Sequence, residues 1–244
     1  METLALLLLA FFTFGTLVLA GGDLGVGMLL PWLGRTPTER RTVLAAIGPF
    51  FLANEVWLVA LAGIMIGAFP GLEHELLLER RTAFVALLAA WIVRDAGLWW
   101  RSRIEARPWA AACDGMIVAG SWGAALALGA VLGPVLGGGL GGVLLAPLFA
   151  LLLALHGAGF CRLRLTGEPL DRAAPLGRYT VTTLALGAVT VAAGLRLDLH
   201  EMLAEPATLR VVTVFVAVML PLLVGGQLLT RWAFRRRVTG PGYL

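Results

Sequence analysis

The sequence predicts an all-α fold, a polytopic bundle of about seven transmembrane helices, and three observations lead to that prediction. Hydrophobic residues make up 59% of the chain and charged residues 14%, which leaves too little polar surface for a water-facing domain. The apolar residues gather in runs at 3–19, 43–69, 82–98, 115–136, 140–161, 179–195 and 211–230, near the roughly 20 residues a helix needs to cross a hydrocarbon core about 30 Å thick. The arginines then alternate with those runs. On a seven-span count 15 of the 19 fall on one side and only Arg80, Arg81, Arg196 and Arg210 on the other, which predicts an outside N-terminus and a cytoplasmic C-terminus.

The first run lacks a basic flank and is expected to be retained as a helix. Gly21-Gly22-Asp23-Leu24-Gly25-Val26-Gly27 follows it. Glycines there permit close backbone approach, and Asp23 is expected to cap the next helical segment, to pair with an arginine or to line a polar conduit. The second run carries Asn54-Glu55 ahead of Val56-Trp57-Leu58 with no base beside it in sequence. The partner of Glu55 must therefore come from another element, and the group is a candidate either for proton relay or for a static interhelical hydrogen bond. The third run ends at Arg94-Asp95. Arg101 and Glu105 follow at i, i+4 spacing, which predicts an ion-pair network at the interface.

The fourth run starts just after Asp114, a further intramembrane acid, and is parted from the fifth by Gly137-Gly138-Gly139, which predicts a tight turn. The small-residue stretch 119–142 suits close helix packing. His156, near the end of the fifth run, is expected to pack against a glycine-lined neighbour rather than to ligate haem, whereas His74 and His200 are expected in loops. Trp32, Trp57, Trp91, Trp99, Trp100, Trp109 and Trp232 are expected to form an interfacial belt. Cys113 and Cys161 belong to no metal or disulfide motif. The basic residues are too dispersed for nucleic acid, and no nucleotide, zinc-hydrolase or serine-hydrolase motif is present.

The ordered set Gly22-Asp23-Leu24-Gly25-Val26-Gly27-Met28-Leu29-Leu30-Pro31, Gly34-Arg35, Glu39-Arg40-Arg41, Ile47-Gly48-Pro49, Asn54-Glu55-Val56-Trp57-Leu58 and Phe69-Pro70 closely resembles subunit II of cytochrome bd quinol oxidases. The likeness continues through Arg94, Arg101-Ser102, Ile104-Glu105, Trp109, Asp114 and Gly120-Ser121, then His156-Gly157-Ala158, Thr166-Gly167-Glu168 and Arg172-Ala173. The resemblance implies a haem-free subunit of a multi-pass complex in the bacterial inner membrane that oxidises quinol and reduces oxygen to water. Its partner would be the large subunit I, holding haems b and d, with contacts to membrane lipid and to quinone only through the complex.

By the same resemblance this chain would bind no cofactor or metal and hold no catalytic residue. Asp23, Glu55 and Asp114 would be candidates for a proton route, and Asn54, Trp57, Arg94, Asp95, Arg101 and Glu105 for the supporting polar and ion-pair structure. Residues 1–136 would form a first four-helix half and 137–244 a second, incomplete one. Two departures stand out. The family's Trp-Asp-Gly-Asn is Phe51-Leu52-Ala53-Asn54 here, so an expected carboxylate is missing at Leu52, and the second half is shortened between residues 195 and 211. The residues alone leave two other readings open, a small secondary transporter or channel and a non-catalytic assembly scaffold.

Overall fold

The computed structural model describes residues 1–241, apart from the side chains of residues 139–141 and 143. It is all-helical among those residues: α1 (Glu2–Leu33), α2 (Pro37–Ile47), α3 (Phe51–Ala68), α4 (Pro70–Glu73) running into a π-helical turn (His74–Leu78), α5 (Arg81–Trp100), α6 (Arg107–Gly137), α7 (Gly139–Arg164), α8 (Gly167–Ala173), α9 (Tyr179–Arg196) and α10 (Pro206–Ala233). Seven of these, α1, α3, α5, α6, α7, α9 and α10, are long and apolar enough to span a bilayer. The chain is a multi-pass membrane protein.

Two boundaries differ from the sequence expectation. The first run does not stop near residue 19, because α1 continues as helix through the glycines to Leu33. Interior glycine costs a helix about 1 kcal/mol relative to alanine, but here the bare backbone is the contact surface. A Cβ on Gly25 would run into the Leu153 carbonyl and Gly157 of α7, and one on Gly157 would run into the backbone of Gly25 and Val26. The second run is two helices. Pro49 has no N–H to donate to the Ala45 carbonyl, so the ladder breaks between α2 and α3 and resumes when Asn54 N–H donates to Phe50 O at 2.8 Å.

The glycine-rich joint between α6 and α7 is the expected tight turn. Gly138 sits at φ +61°, a conformation open chiefly to glycine. Helix α1 is the axis of the bundle and contributes to all three apolar clusters: with α5, α6, α7 and α9, with α2, α3, α5, α6, α7 and α8, and with α3, α4 and α10. Helices α9 and α10 lie at the periphery, with only 11% of their apolar windows buried. The segment between them folds back onto α3 and α4, where Ala204 N–H donates to Ala68 O at 2.9 Å and Gly71 N–H to Met202 O at 3.3 Å. His74 opens the π-helical turn rather than lying in a loop.

Outside the spans, α2 starts with a capping box. The Thr36 hydroxyl accepts from Glu39 N–H, and the Glu39 carboxylate accepts from Thr36 N–H at 3.0 Å and Arg35 N–H at 2.7 Å. Arg172 of α8 grips the same carboxylate with both nitrogens, at 2.9 and 3.1 Å, and donates to Leu33 O at 2.6 Å. The Arg172 fork and the two backbone donors hold the Glu39 carboxyl at about 2, below its ordinary 4.5. A depressed folded-state value means this contribution is complete above about pH 4.5 and is lost as pH falls toward 2. Thermal melting in detergent between pH 6 and pH 3 is therefore expected to fall more for the native chain than for Glu39→Gln. Equal slopes would remove Glu39 from this role.

Candidate functional site

Consecutive residues on a helix point about 100° apart, so Asn54 and Glu55 of α3 face different neighbours and build different sites. Asn54 turns inward. Its amide N–H₂ donates to Asp23 Oδ2 at 2.7 Å and to Leu19 O at 3.2 Å, and its carbonyl accepts from Gln227 Nε2 at 2.9 Å. The Gln227 carbonyl in turn accepts from Trp57 Nε1 at 3.3 Å. All four side chains are buried, so α1, α3 and α10 share a buried polar chain, two members of which, Asn54 and Gln227, also line a small cavity. Asp23 lies mid-helix in α1 and caps no helix end. Its second oxygen, Oδ1, has no hydrogen-bond partner among the described residues.

Glu55 turns toward α5. Its partner is Arg94, at 3.5 Å, with Trp91 Nε1 donating to the same oxygen at 3.3 Å. Arg94 also pairs with Asp95 at 2.7 Å and is 1% exposed, whereas the two acids keep 23% and 21% of their side-chain surface. The guanidinium lies 5.8 Å from the Trp91 ring and 6.0 Å from that of Phe51. A buried base thus bridges two carboxylates that open on the outer face between α3 and α5. On the same two helices Val56, Val59, Val85, Leu88 and Ile92 are exposed, and Leu52, where the resemblance leads one to expect an acid, is itself 48% exposed.

Asp114 forms a third cluster at the start of α6. Arg101 Nε donates to it at 2.5 Å and Arg40 Nη1 at 3.1 Å, with Arg40 Nε on Gly34 O at 3.0 Å. The expected Arg101–Glu105 pair is absent. Helix α5 ends at Trp100, so i, i+4 geometry does not extend across residues 101–105, and Arg101 swings to Asp114 while Glu105 stays exposed.

Trp57 and Trp91 are buried donors within the bundle and not members of an interfacial belt. Sequence reasoning missed Gln227, whose signal is a lone amide inside the last apolar run. His156 is buried against glycine-bearing α1 as expected, with further partners: Nδ1 meets the Thr182 hydroxyl at 2.7 Å, Nε2 meets Val18 O at 2.9 Å, and the ring stacks 4.5 Å from Tyr179. With both nitrogens bonded to protein, this side chain does not fit an axial ligand to haem.

The family model for cytochrome bd terminal oxidase subunit II matches residues 1–197. Cytochrome bd-I ubiquinol oxidase subunit 2 of Escherichia coli K12 is 35% identical over 123 residues, covering 50% of this chain and 32% of that protein. Cytochrome bd ubiquinol oxidase subunit 2 of Bacillus subtilis is 36% identical over 115 residues, 47% of this chain and 34% of its own length. A probable cytochrome oxidase subunit 2 of Haemophilus influenzae is 33% identical over 115 residues, 47% and 30% respectively. The matched segment thus spans about a third of the length of these relatives.

Proposed function

The chain belongs to the cytochrome bd terminal oxidase subunit II family, and from that premise we propose that it is the haem-free partner of a larger haem-bearing subunit I in a bd-type quinol oxidase. The complex would oxidise quinol and reduce oxygen to water, with haems b and d held by subunit I and quinone reached through the complex. The observation that carries this reading is the half-open Glu55–Arg94–Asp95 cluster. Glu55 is the fifth residue of α3 and Asp95 the sixth from the end of α5, so at ~1.5 Å per residue both lie about a turn inside their spans. Carboxylates at that depth are poorly solvated by lipid, so a protein face supplying hydrogen-bond donors belongs over them.

On this reading the complex sits in a bacterial inner membrane, with the arginine-rich side and the C-terminus cytoplasmic. Residues 1–136 act as the half that carries the family motifs and 137–244 as a shortened second half. Asp23, held by Asn54 but with one oxygen unpartnered, is the proposed proton-carrying group of this chain. Asp114, neutralised by two arginines, is a structural group.

The test is turnover of the complex isolated through a tag on this chain. Quinol-dependent oxygen consumption is expected, and Asp23→Asn, which keeps an acceptor for Asn54, is expected to leave yield intact and slow turnover on the order of tenfold, about 1.4 kcal/mol on the barrier. Unchanged turnover at unchanged yield would remove Asp23 from the route, and a preparation inactive in the native form would remove the oxidase reading.

A further inference from the structure

At the end of the bundle where α10 terminates, a cavity of about 200 Å³ is lined by Arg164, Arg231, Arg235, Tyr179, Asn54 and Gln227, with no acid among its lining residues. Its size is below the roughly 300–1,000 Å³ of sites for drug-sized molecules and suits a headgroup fragment. The two amides on its wall are already committed, Asn54 to Asp23 and Leu19 O, Gln227 to Asn54 and Trp57. Asp23, one step behind Asn54, acts on Arg231 through space, whereas no carboxylate of the described residues pairs with Arg164 or Arg235, so the cavity keeps a net positive charge.

Arg164 gives the second, independent observation. It is only 8% exposed. Its Nη1 donates to the carbonyls of Phe234 and Arg236, and its guanidinium lies 5.0 Å from the Phe50 ring. Its Nε has no hydrogen-bond partner among the described residues. That nitrogen is closed off from solvent, so a ligand in the cavity would meet the rest of the guanidinium; no carboxylate of the described residues pairs with Arg164, and phosphate is an anion that guanidinium geometry matches well. Exposed Leu163 and, on α10, Leu228 and Trp232 provide adjoining apolar surface.

We propose that this cavity binds a phosphate group, either that of an anionic phospholipid headgroup or free phosphate, with Arg164, Arg231 and Arg235 as its donors. Basic pockets between membrane helices hold anionic headgroups through this chemistry. The proposal stands independently of the oxidase reading, because it uses only charges on this chain.

The test is native mass spectrometry of the protein purified through a tag on this chain, with whatever partners it retains, stripped of lipid by detergent exchange and then titrated with phosphatidylglycerol, phosphatidylcholine or inorganic phosphate. Arg231→Gln with Arg235→Gln is the variant, since both side chains are exposed near the end of α10 and neither anchors the tail as Arg164 does. The native complex is expected to take up phosphatidylglycerol in preference to phosphatidylcholine, and the double variant to bind it at least tenfold more weakly. Competition by millimolar inorganic phosphate would identify free phosphate as a ligand of the same site, and its absence would identify the lipid. Equal phosphatidylglycerol binding by native and variant complexes, or binding of neither phosphate probe by the native complex, would overturn the proposal.

Discussion

Gly157→Val is expected to abolish accumulation of the folded chain. A Cβ at this position falls on backbone atoms of Gly25 and Val26, and backbone cannot turn aside as the tip of a side chain can. Overpacking a core costs about 1–3 kcal/mol where side chains can adjust, so here the loss should exceed about 3 kcal/mol and part α1 from α7. Gly63 is the control. It lies in α3 with nothing within 4 Å of an added Cβ, so Gly63→Ala should preserve or raise stability, by up to about 1 kcal/mol from the glycine-to-alanine difference in helix propensity. Yield of monodisperse protein and melting temperature in detergent check both. A Gly157→Val chain that melts like the native one would show that α1 and α7 do not meet backbone to backbone.

Arg94→Leu is expected to have the second-largest effect. It would leave Glu55 and Asp95 as two carboxylates without the cation that lies 3.5 and 2.7 Å from them. Removing one partner from a buried ion pair costs about 3–5 kcal/mol, whereas replacing every member by apolar groups is often neutral. The triple change Arg94→Leu, Glu55→Leu and Asp95→Leu is therefore expected to recover most of the melting temperature lost in the single variant. If the polar cluster is where subunit I docks, that triple variant should be stable yet fail to retain the large subunit. A single variant that melts within a degree or two of the native chain would show that Arg94 holds neither acid.

These two cases mark what the sequence could and could not reveal. Hydropathy depends on local composition, so the seven spans were legible, as was the turn at Gly138, where glycine tolerates the positive φ. Intramembrane acids are rare enough to stand out one by one, as Asp23, Glu55, Asp95 and Asp114 do. Their partners were not legible, because they depend on which helices touch. Asn54 and Glu55 are neighbours in sequence yet face different helices, and Gln227 reaches Asn54 across 173 positions.

The Arg101–Glu105 spacing misled for a related reason. Periodicity assumes that the helix continues, and α5 ends just before it. The glycines around Asp23 read as a break in isolation, and only the presence of α7 against them makes a continuous helix favourable. Aromatic residues prefer the interface on average, which predicts a belt position for Trp57 and Trp91, whereas each donates to a side chain of another helix, Gln227 and Glu55, that composition does not show.

The proposed place of this chain in a working haem-bearing oxidase is tested most directly by one measurement. The protein would be tagged, drawn from its native membrane in mild detergent, and the eluate recorded as a reduced-minus-oxidised optical spectrum. The account predicts haem b and haem d bands together with a co-purifying larger subunit. A haem-free eluate with no such partner would contradict it, and would shift the weight to a transporter or an assembly scaffold built on the same helices.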